Sequence, residues 1–283
     1  MKNLIFIFCL LVSVNLVSQS NILNVKSPEL IGVKNIDQKQ SDEESSFLEY
    51  GVIDDRDILW SKIVYEKIDL NEKLNFPLLF PVIDSKDKNR KSLWRIIKEN
   101  IVNGNITETY DYADDGNFFQ ENKIKKYEER LTRFKEILVD EDEDEEALEE
   151  AKSKDIKEYW IKGIWYFDKR QSEMKYRLLG IMPYGKNFGD DGVGDVGYFW
   201  IWYPSIREIL HKEMVYNDKN NANRISFDQL LISRRFNSYI YKEDNVNGNR
   251  AIEVYKKKGL QSILESERIK KEILDFEQDM WNR

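Results

Sequence analysis

The chain has 283 residues, 41% hydrophobic and 34% charged, a soluble composition long enough for one large or two small domains. Its 44 Lys and Arg against 52 Asp and Glu leave a net charge of −8, opposite in sign to most nucleic-acid binders, so that class is set aside. Cysteine and histidine occur once each, at Cys9 and His211, which excludes a His/Cys zinc centre.

Lys2 opens an apolar run from Leu4 to Val12, and Ser18-Gln19-Ser20 supplies small residues after it. Residues 1–20 therefore read as a secretory signal peptide cut after Ser20. Polar Ser13 and Asn15 leave the run short of the roughly 20 residues a membrane span needs. Cys9 lies mid-run behind Ile7 and Phe8, so no lipoprotein anchor is expected, and the mature chain would carry no thiol. Residues 21–46 are polar and end in Lys39-Gln40-Ser41-Asp42-Glu43-Glu44-Ser45-Ser46. They read as a mobile N-terminal arm, a spacer or a partner-docking segment.

From residue 47 to 283 the pattern is that of a single α+β domain. Asp54-Asp55-Arg56-Asp57 before Ile58, Leu59, Ile63, Tyr65 and Ile68 predicts a helix with acidic residues at its N-terminus. Leu78-Leu79-Phe80 between Pro77 and Pro81 reads as an edge strand or packed loop. Residues 92–103 predict a helix stopped by Gly104, and 105–112 a short strand. Ile124, Tyr127, Leu131, Phe134 and Leu138 predict a third helix over 118–139. An acidic insertion over 140–150 follows, read as a solvated loop or surface helix, with cation or basic-partner binding as the alternative.

The aromatic stretch from Tyr159 to Tyr184 is the centre of the domain. Two apolar runs flank Asp168-Lys169-Arg170-Gln171-Ser172-Glu173 and predict an antiparallel hairpin. In its second arm Met174, Tyr176, Leu178 and Met182 share one parity and are expected on one face. The first arm is apolar on both parities, as a central strand would be. Residues 198–203 give a third strand ending at Pro204, which opens a helix through Met214. Ser226 caps a further helix, 237–242 give a short strand, and 259–281 a long C-terminal helix with Ile269, Ile273, Phe276 and Met280 on one stripe. The expected fold is a small antiparallel sheet built on the 159–203 strands, with helices packed on it.

Sequence motifs for catalysis fail on inspection. Gly180 to Asn187 nearly matches a phosphate loop, but Asn187 replaces the Ser/Thr, Pro183 removes an N–H, and no helix can follow. Gly192 to Gly197 spells GxGxxG but leads into a strand. Asp190, Asp191 and Asp195 lack the order of an EF-hand. His211 has no nucleophile elbow to serve. Nothing in the sequence brings a particular carboxylate pair together. No cofactor or metal is expected. Aromatic residues are abundant at 13%, with seven Trp, which suits a core or a protein interface. Trp200, Trp202, Arg234, Arg235 and Trp281 are the candidate partner-contact residues; Trp200 or Trp202 is expected to point out of the protomer.

Three blocks carry a family resemblance. Leu48-Glu49-Tyr50-Gly51 with Asp54-Asp55-Arg56-Asp57-Ile58-Leu59-Trp60-Ser61-Lys62 is the first. Ile161-Lys162-Gly163-Ile164-Trp165-Tyr166-Phe167-Asp168-Lys169-Arg170-Gln171 with Tyr176-Arg177-Leu178-Leu179-Gly180-Ile181 is the second. Ile225-Ser226-Phe227-Asp228, Ser233-Arg234-Arg235-Phe236-Asn237 and Leu264 to Trp281 form the third. From residue 48 onward the chain resembles the gliding-motility protein GldN family, called PorN in non-gliding relatives. The acidic run 140–150 and the loop 185–197 lie outside the resemblance.

The resemblance implies a non-enzymatic periplasmic component of the type IX secretion system of Bacteroidota, at the inner side of the outer membrane. It implies a ring formed with an outer-membrane lipoprotein of the GldK/PorK type, and contact with the periplasmic part of a GldM/PorM-type motor component. It implies no catalytic or metal residue, no nucleic-acid partner and no membrane span of its own. A secreted carboxylate-based hydrolase and a periplasmic small-ligand module are the competing readings.

Overall fold

The computed structural model describes residues 47–83, 91–139, 146–188, 193–215, 225–246, 249–256 and 259–281, without the side chains of 136–149 and 281. The expected signal peptide, the arm 21–46 and residues 140–145 of the acidic run lie outside these. The strands are β1 (Ile58–Asp69), β2 (Thr109–Tyr110), β3 (Lys135–Val139), β4 (Glu146–Glu150), β5 (Ile156–Asp168), β6 (Glu173–Lys186), β7 (Asp195–Gly197), β8 (Trp200–Trp202) and β9 (Tyr239–Glu243). The helices are α1 (Phe76–Leu79), α2 (Leu93–Val102), α3 (Tyr127–Thr132), α4 (Tyr203–Lys212), α5 (Phe227–Ile232), α6 (Ile252–Tyr255) and α7 (Gly259–Trp281). The fold is α+β. A seven-stranded antiparallel sheet runs in the order β2-β8-β6-β5-β1-β9, with β7 also on β6, and β3-β4 form a separate hairpin.

The β5–β6 hairpin forms as its sequence dictates. Asp168 closes it: Oδ1 accepts the N–H groups of Arg170 at 3.0 Å and Gln171 at 3.3 Å, as a short carboxylate does in a turn. β5 is central, between β6 and β1, which is why both of its parities are apolar. The alternation expected through β6 does not persist. The register passes from Lys162↔Gly180 to Gly163↔Leu178, so Leu179 is an extra residue and the pattern flips there. Leu178 and Ile181 consequently share the main core, while Met182, expected beside Leu178, lies on the opposite face. At this bulge Gly163 makes room for a ring: a Cβ there would lie 2.1 Å from the Tyr176 hydroxyl.

Of two helices expected from apolar spacing, one is a strand and the other is cut short. Residues 58–69 form strand β1, preceded by a 3-10 turn over Asp55–Asp57. Because β1 is buried between β5 and β9, Val64, Glu66 and Ile68 face one side and Ile63, Tyr65 and Lys67 the other. Filling both faces erases the alternation that marks a strand. Over 118–139, only α3 is α-helical, a 3-10 turn forms over Gln120–Asn122, and 135–139 turn into β3. Asp114 prevents the longer helix by gathering the chain into a loop. Its carboxylate accepts the N–H of Phe118, the N–H of Phe119 at 3.2 Å and the Asn122 side-chain amide at 2.6 Å. Residues 146–150 of the acidic run are strand β4 rather than loop or helix, and Glu150 meets Lys98 at 3.2 Å and Lys135 at 3.3 Å. Leu78 and Leu79, expected with Phe80 in an edge strand or packed loop, belong instead to the single turn α1, with proline in its first positions.

Among the described residues, the α-helices cover one face of the sheet. α2, α4 and α5 pack there around Trp94, Phe134, Tyr159, Ile181, Phe199 and Phe227. α6 and α7 pack farther along the same face, where Ile252, Ile269 and Ile273 meet Val64 and Ile240. The caps follow the sequence: Ser92 accepts the Arg95 N–H at 3.2 Å, and Ser226 that of Gln229 at 3.1 Å. Gly104, with φ at +75°, ends the α2 turn.

Arg207 of α4 fastens residues 47–51 to this layer. It meets Asp228 at 3.0 and 3.2 Å, donates to the Leu48 carbonyl at 2.6 Å, and lies 4.3 Å from the Tyr50 ring centre. Burial pushes the Tyr50 phenol up to about 12, and its hydroxyl donates to the Leu178 carbonyl at 3.1 Å.

Candidate interaction face

The second face of the sheet carries cations and aromatic rings in alternating order. Pairing register sets the rows. Tyr239, Lys67, Trp160 and Met182 stand side by side on β9, β1, β5 and β6. The next row is Lys242, Tyr65, Lys162, Gly180 and Trp202. Each lysine thus meets rings across the strands. Lys67 Nζ lies 4.5 Å from the Trp160 ring centre and 5.1 Å from that of Tyr241. Tyr65 has Lys242 Nζ at 4.4 Å and Lys162 Nζ at 5.2 Å. Ring faces are negative, so such stacks hold ammonium groups that water only partly reaches.

Residues 111–124 cross part of this face as irregular chain. Phe118 drops into the gap left by Gly180, where a Cβ would come within 2.4 Å of it, and lies 4.9 Å from Trp202 and 5.2 Å from Tyr110. Lys162 donates to the Gly116 carbonyl at 2.6 Å, and Lys242 pairs with Asp115. Burial lowers the Lys162 pKa and the Lys242 cation acts in the same direction, against Asp115, Asp114 and Asp244. Beyond the loop, one corner stays open. Trp160 and Tyr184 stack there at 4.9 Å and 14°, both half-buried beside Lys67, and Tyr239 is 38% exposed. Trp160 Nε1 donates to Glu158 at 2.6 Å.

The candidate contact residues fall in different places. Trp200 is 1% exposed, a core residue of its own protomer. Trp202 is half-buried on the second face. Arg234 turns inward onto Glu66, at 2.6 and 3.0 Å, whereas Arg235 is exposed. Trp281 ends α7, and its side chain lies outside the description. Sequence reading missed Lys67, Trp160 and Tyr239 as a group, because they converge only once β1 is a strand. Lys67 and Tyr65 at i and i+2 were the available signal.

The tempting motifs are structural. Gly180 to Lys186 lies within β6, and Asp195 opens β7 and pairs with Lys157 at 2.7 Å. Asp190 and Asp191 are outside the described residues. His211 lies in the last turn of α4, 6.4 Å from the Phe47 ring. The buried carboxylates are engaged: Glu66 by Arg234 and Ser238, Asp228 by Arg207 and Tyr203, Asp168 by its turn and Lys175. Among the described residues, no group of three or more His, Cys, Asp or Glu is arranged to hold a metal, and no helix is long and apolar enough to cross a membrane.

Residues 53–282 match the family model of the gliding motility associated protein GldN. No curated protein matches the chain. The matched span takes in every strand and helix described above. The chain therefore belongs to the GldN family of gliding-motility-associated proteins.

Proposed function

We propose that this protein is a non-enzymatic, periplasmic subunit of the type IX secretion and gliding machinery. In this reading it forms a ring with an outer-membrane lipoprotein of the GldK/PorK type. It also links that ring to the periplasmic part of a GldM/PorM-type component of the inner-membrane motor. Family membership supports the machinery, and the N-terminal leader pattern supports export.

The observation that carries an interaction role is the asymmetry of the sheet. Among the described residues, its packed α-helices lie on one face, and the other ends in the open corner of Lys67, Trp160, Tyr184 and Tyr239. Large rings beside a partly desolvated cation are the composition of interface anchors. We assign this corner to the lipoprotein partner. The buried carboxylates are held in ion pairs and turns, which favours this reading over a carboxylate hydrolase.

The test is complementation of a strain lacking the gene. The parent chain should restore secretion of cargo across the outer membrane, and a Lys67→Glu, Tyr239→Ala double variant should not, although it folds and is exported. Full restoration by that variant would move the partner contact elsewhere. Normal secretion in the deletion strain would end the reading altogether.

A further inference from the structure

Helix α7 has one apolar stripe buried against the sheet and a second, mixed series of leucines and charged residues that is exposed. Ser266, Ile269 and Ile273 are buried against the sheet, with Phe276 stacked on Trp60 at 5.0 Å. About 150° around the helix, by its 3.6-residue turn, runs a second series: Leu260, Leu264, Glu267, Lys271, Leu274 and Gln278. All six are exposed, with Leu260 at 70%, Leu264 at 60% and Leu274 at 51%, and Ile263 beside them at 62%. Their steps of four, three, four, three and four are those of a coiled-coil seam. Among the described residues, none covers these leucines.

The seam is complementary to itself in one orientation only. Laid antiparallel about Ile269, two copies bring Leu264 of each against Leu274 of the other and Leu260 against Gln278. Glu267 of each then meets Lys271 of the other, twice. In a parallel, in-register pair Glu267 would face Glu267 and Lys271 would face Lys271, stacking like charges in the centre. The cations flanking the seam have partners within the protomer: Arg268 has Glu265 at 2.8 Å and Glu272 at 3.0 Å, and Lys270 donates to the Ser238 carbonyl at 3.0 Å and to Glu267 Oε1 at 3.2 Å, which leaves the second Glu267 oxygen for Lys271 of the other copy.

We propose that the occupant of this stripe is a second copy of the chain, joined through antiparallel α7 helices in a two-fold, isologous contact. The contact is separate from the ring and lipoprotein reading and does not rest on it. It uses the helix outer side, not the open face of the sheet.

Sedimentation equilibrium of the exported protein, purified without residues 1–20 and therefore without cysteine, measures it. A monomer–dimer equilibrium should be evident by about 100 µM, and Glu267→Lys should weaken it at least about tenfold by placing lysine on lysine. The double variant Glu267→Lys, Lys271→Glu should restore it to within about threefold, because the swapped charges again face their opposites. All of these positions are exposed, and unchanged melting temperatures establish that the variants fold. For orientation, a chain with Leu264→Cys should form a disulfide with a chain carrying Leu274→Cys in air, and not with itself. A parent that stays monomeric at 100 µM, a dimer indifferent to Glu267→Lys, a double variant that stays monomeric, or self-linking of the Leu264→Cys chain would each overturn the proposal.

Discussion

Arg234 and Glu66, 168 residues apart, form a two-pronged ion pair at 3.0 and 2.6 Å, with the Glu66 side chain 1% exposed. Arg234 reaches it from the left-handed region, φ +51°, at the end of α5. The N–H groups of Arg234 and Arg235 return to the carbonyls of Leu231 and Leu230 at 3.2 and 3.1 Å, closing a helix end that usually takes glycine. The left-handed backbone costs about 1 kcal/mol for a residue with a Cβ, and the buried ion pair offsets it. Arg234→Gly relieves the backbone but strands Glu66, so it should still destabilise, by about 3 kcal/mol. Glu66→Gln in the same chain should recover part of the loss, because no charge is then left buried. Urea unfolding of the single and double variants measures both; a neutral Arg234→Gly would show that the pair does no more than balance the left-handed backbone.

Trp200 and Trp202 should respond differently to truncation. Trp200→Ala removes a fully buried ring and should lose about 3–5 kcal/mol of folding stability. Trp202 is half-buried against Phe118 and loses less contact, so Trp202→Ala should cost less than half of that. Equal melting temperatures for the two variants would contradict the placement of the rings.

Acid sensitivity should be traceable to Glu108. Its carboxylate accepts from Lys123 at 2.5 Å and from the Tyr110 hydroxyl at 3.1 Å, and the Lys123 hydrogen bond holds it below the usual carboxylate range. A carboxyl whose pKa is lower in the folded state stabilises above its unfolded pKa, about 4.3 for Glu. That contribution disappears as pH falls through the folded value. The site is partly exposed, so solvent screening limits the effect to about 0.5 kcal/mol. Glu108→Gln should therefore be slightly less stable than the parent at pH 6, and the gap should close below about pH 4. A gap that widens in acid would contradict the assignment.

What the sequence disclosed follows from where its signals are local. The hairpin turn at Asp168, the cap at Ser226, Gly104 and the stripe of α7 rest on side chains acting within a few residues, and each stands as read; Ser92, read as the first residue of its helix, is its cap. β1 was misread because its identity depends on neighbours about 90 residues and more away: Tyr65 and Lys67 are packed in a strand by Trp160, Lys162 and Tyr241 around them. The 118–139 helix failed for a related reason. Asp114, outside the apolar repeat, diverts the chain into a loop. The open corner was illegible for both reasons, since it forms only when β1 lies between β5 and β9. The extra residue at Leu179 likewise left no composition signal, yet it decides which face receives Met182.

The central claim is that this chain works as one subunit of an envelope assembly. The most direct measurement is affinity isolation of the tagged protein from outer membranes of its own organism, with the co-purifying chains identified by mass spectrometry. The account predicts a large complex holding a lipoprotein and many copies of this chain, with the lipoprotein lost when Lys67 and Tyr239 are changed together. Recovery of the protein alone, from the soluble periplasmic fraction and at the mass of a free chain or a simple dimer, would contradict it.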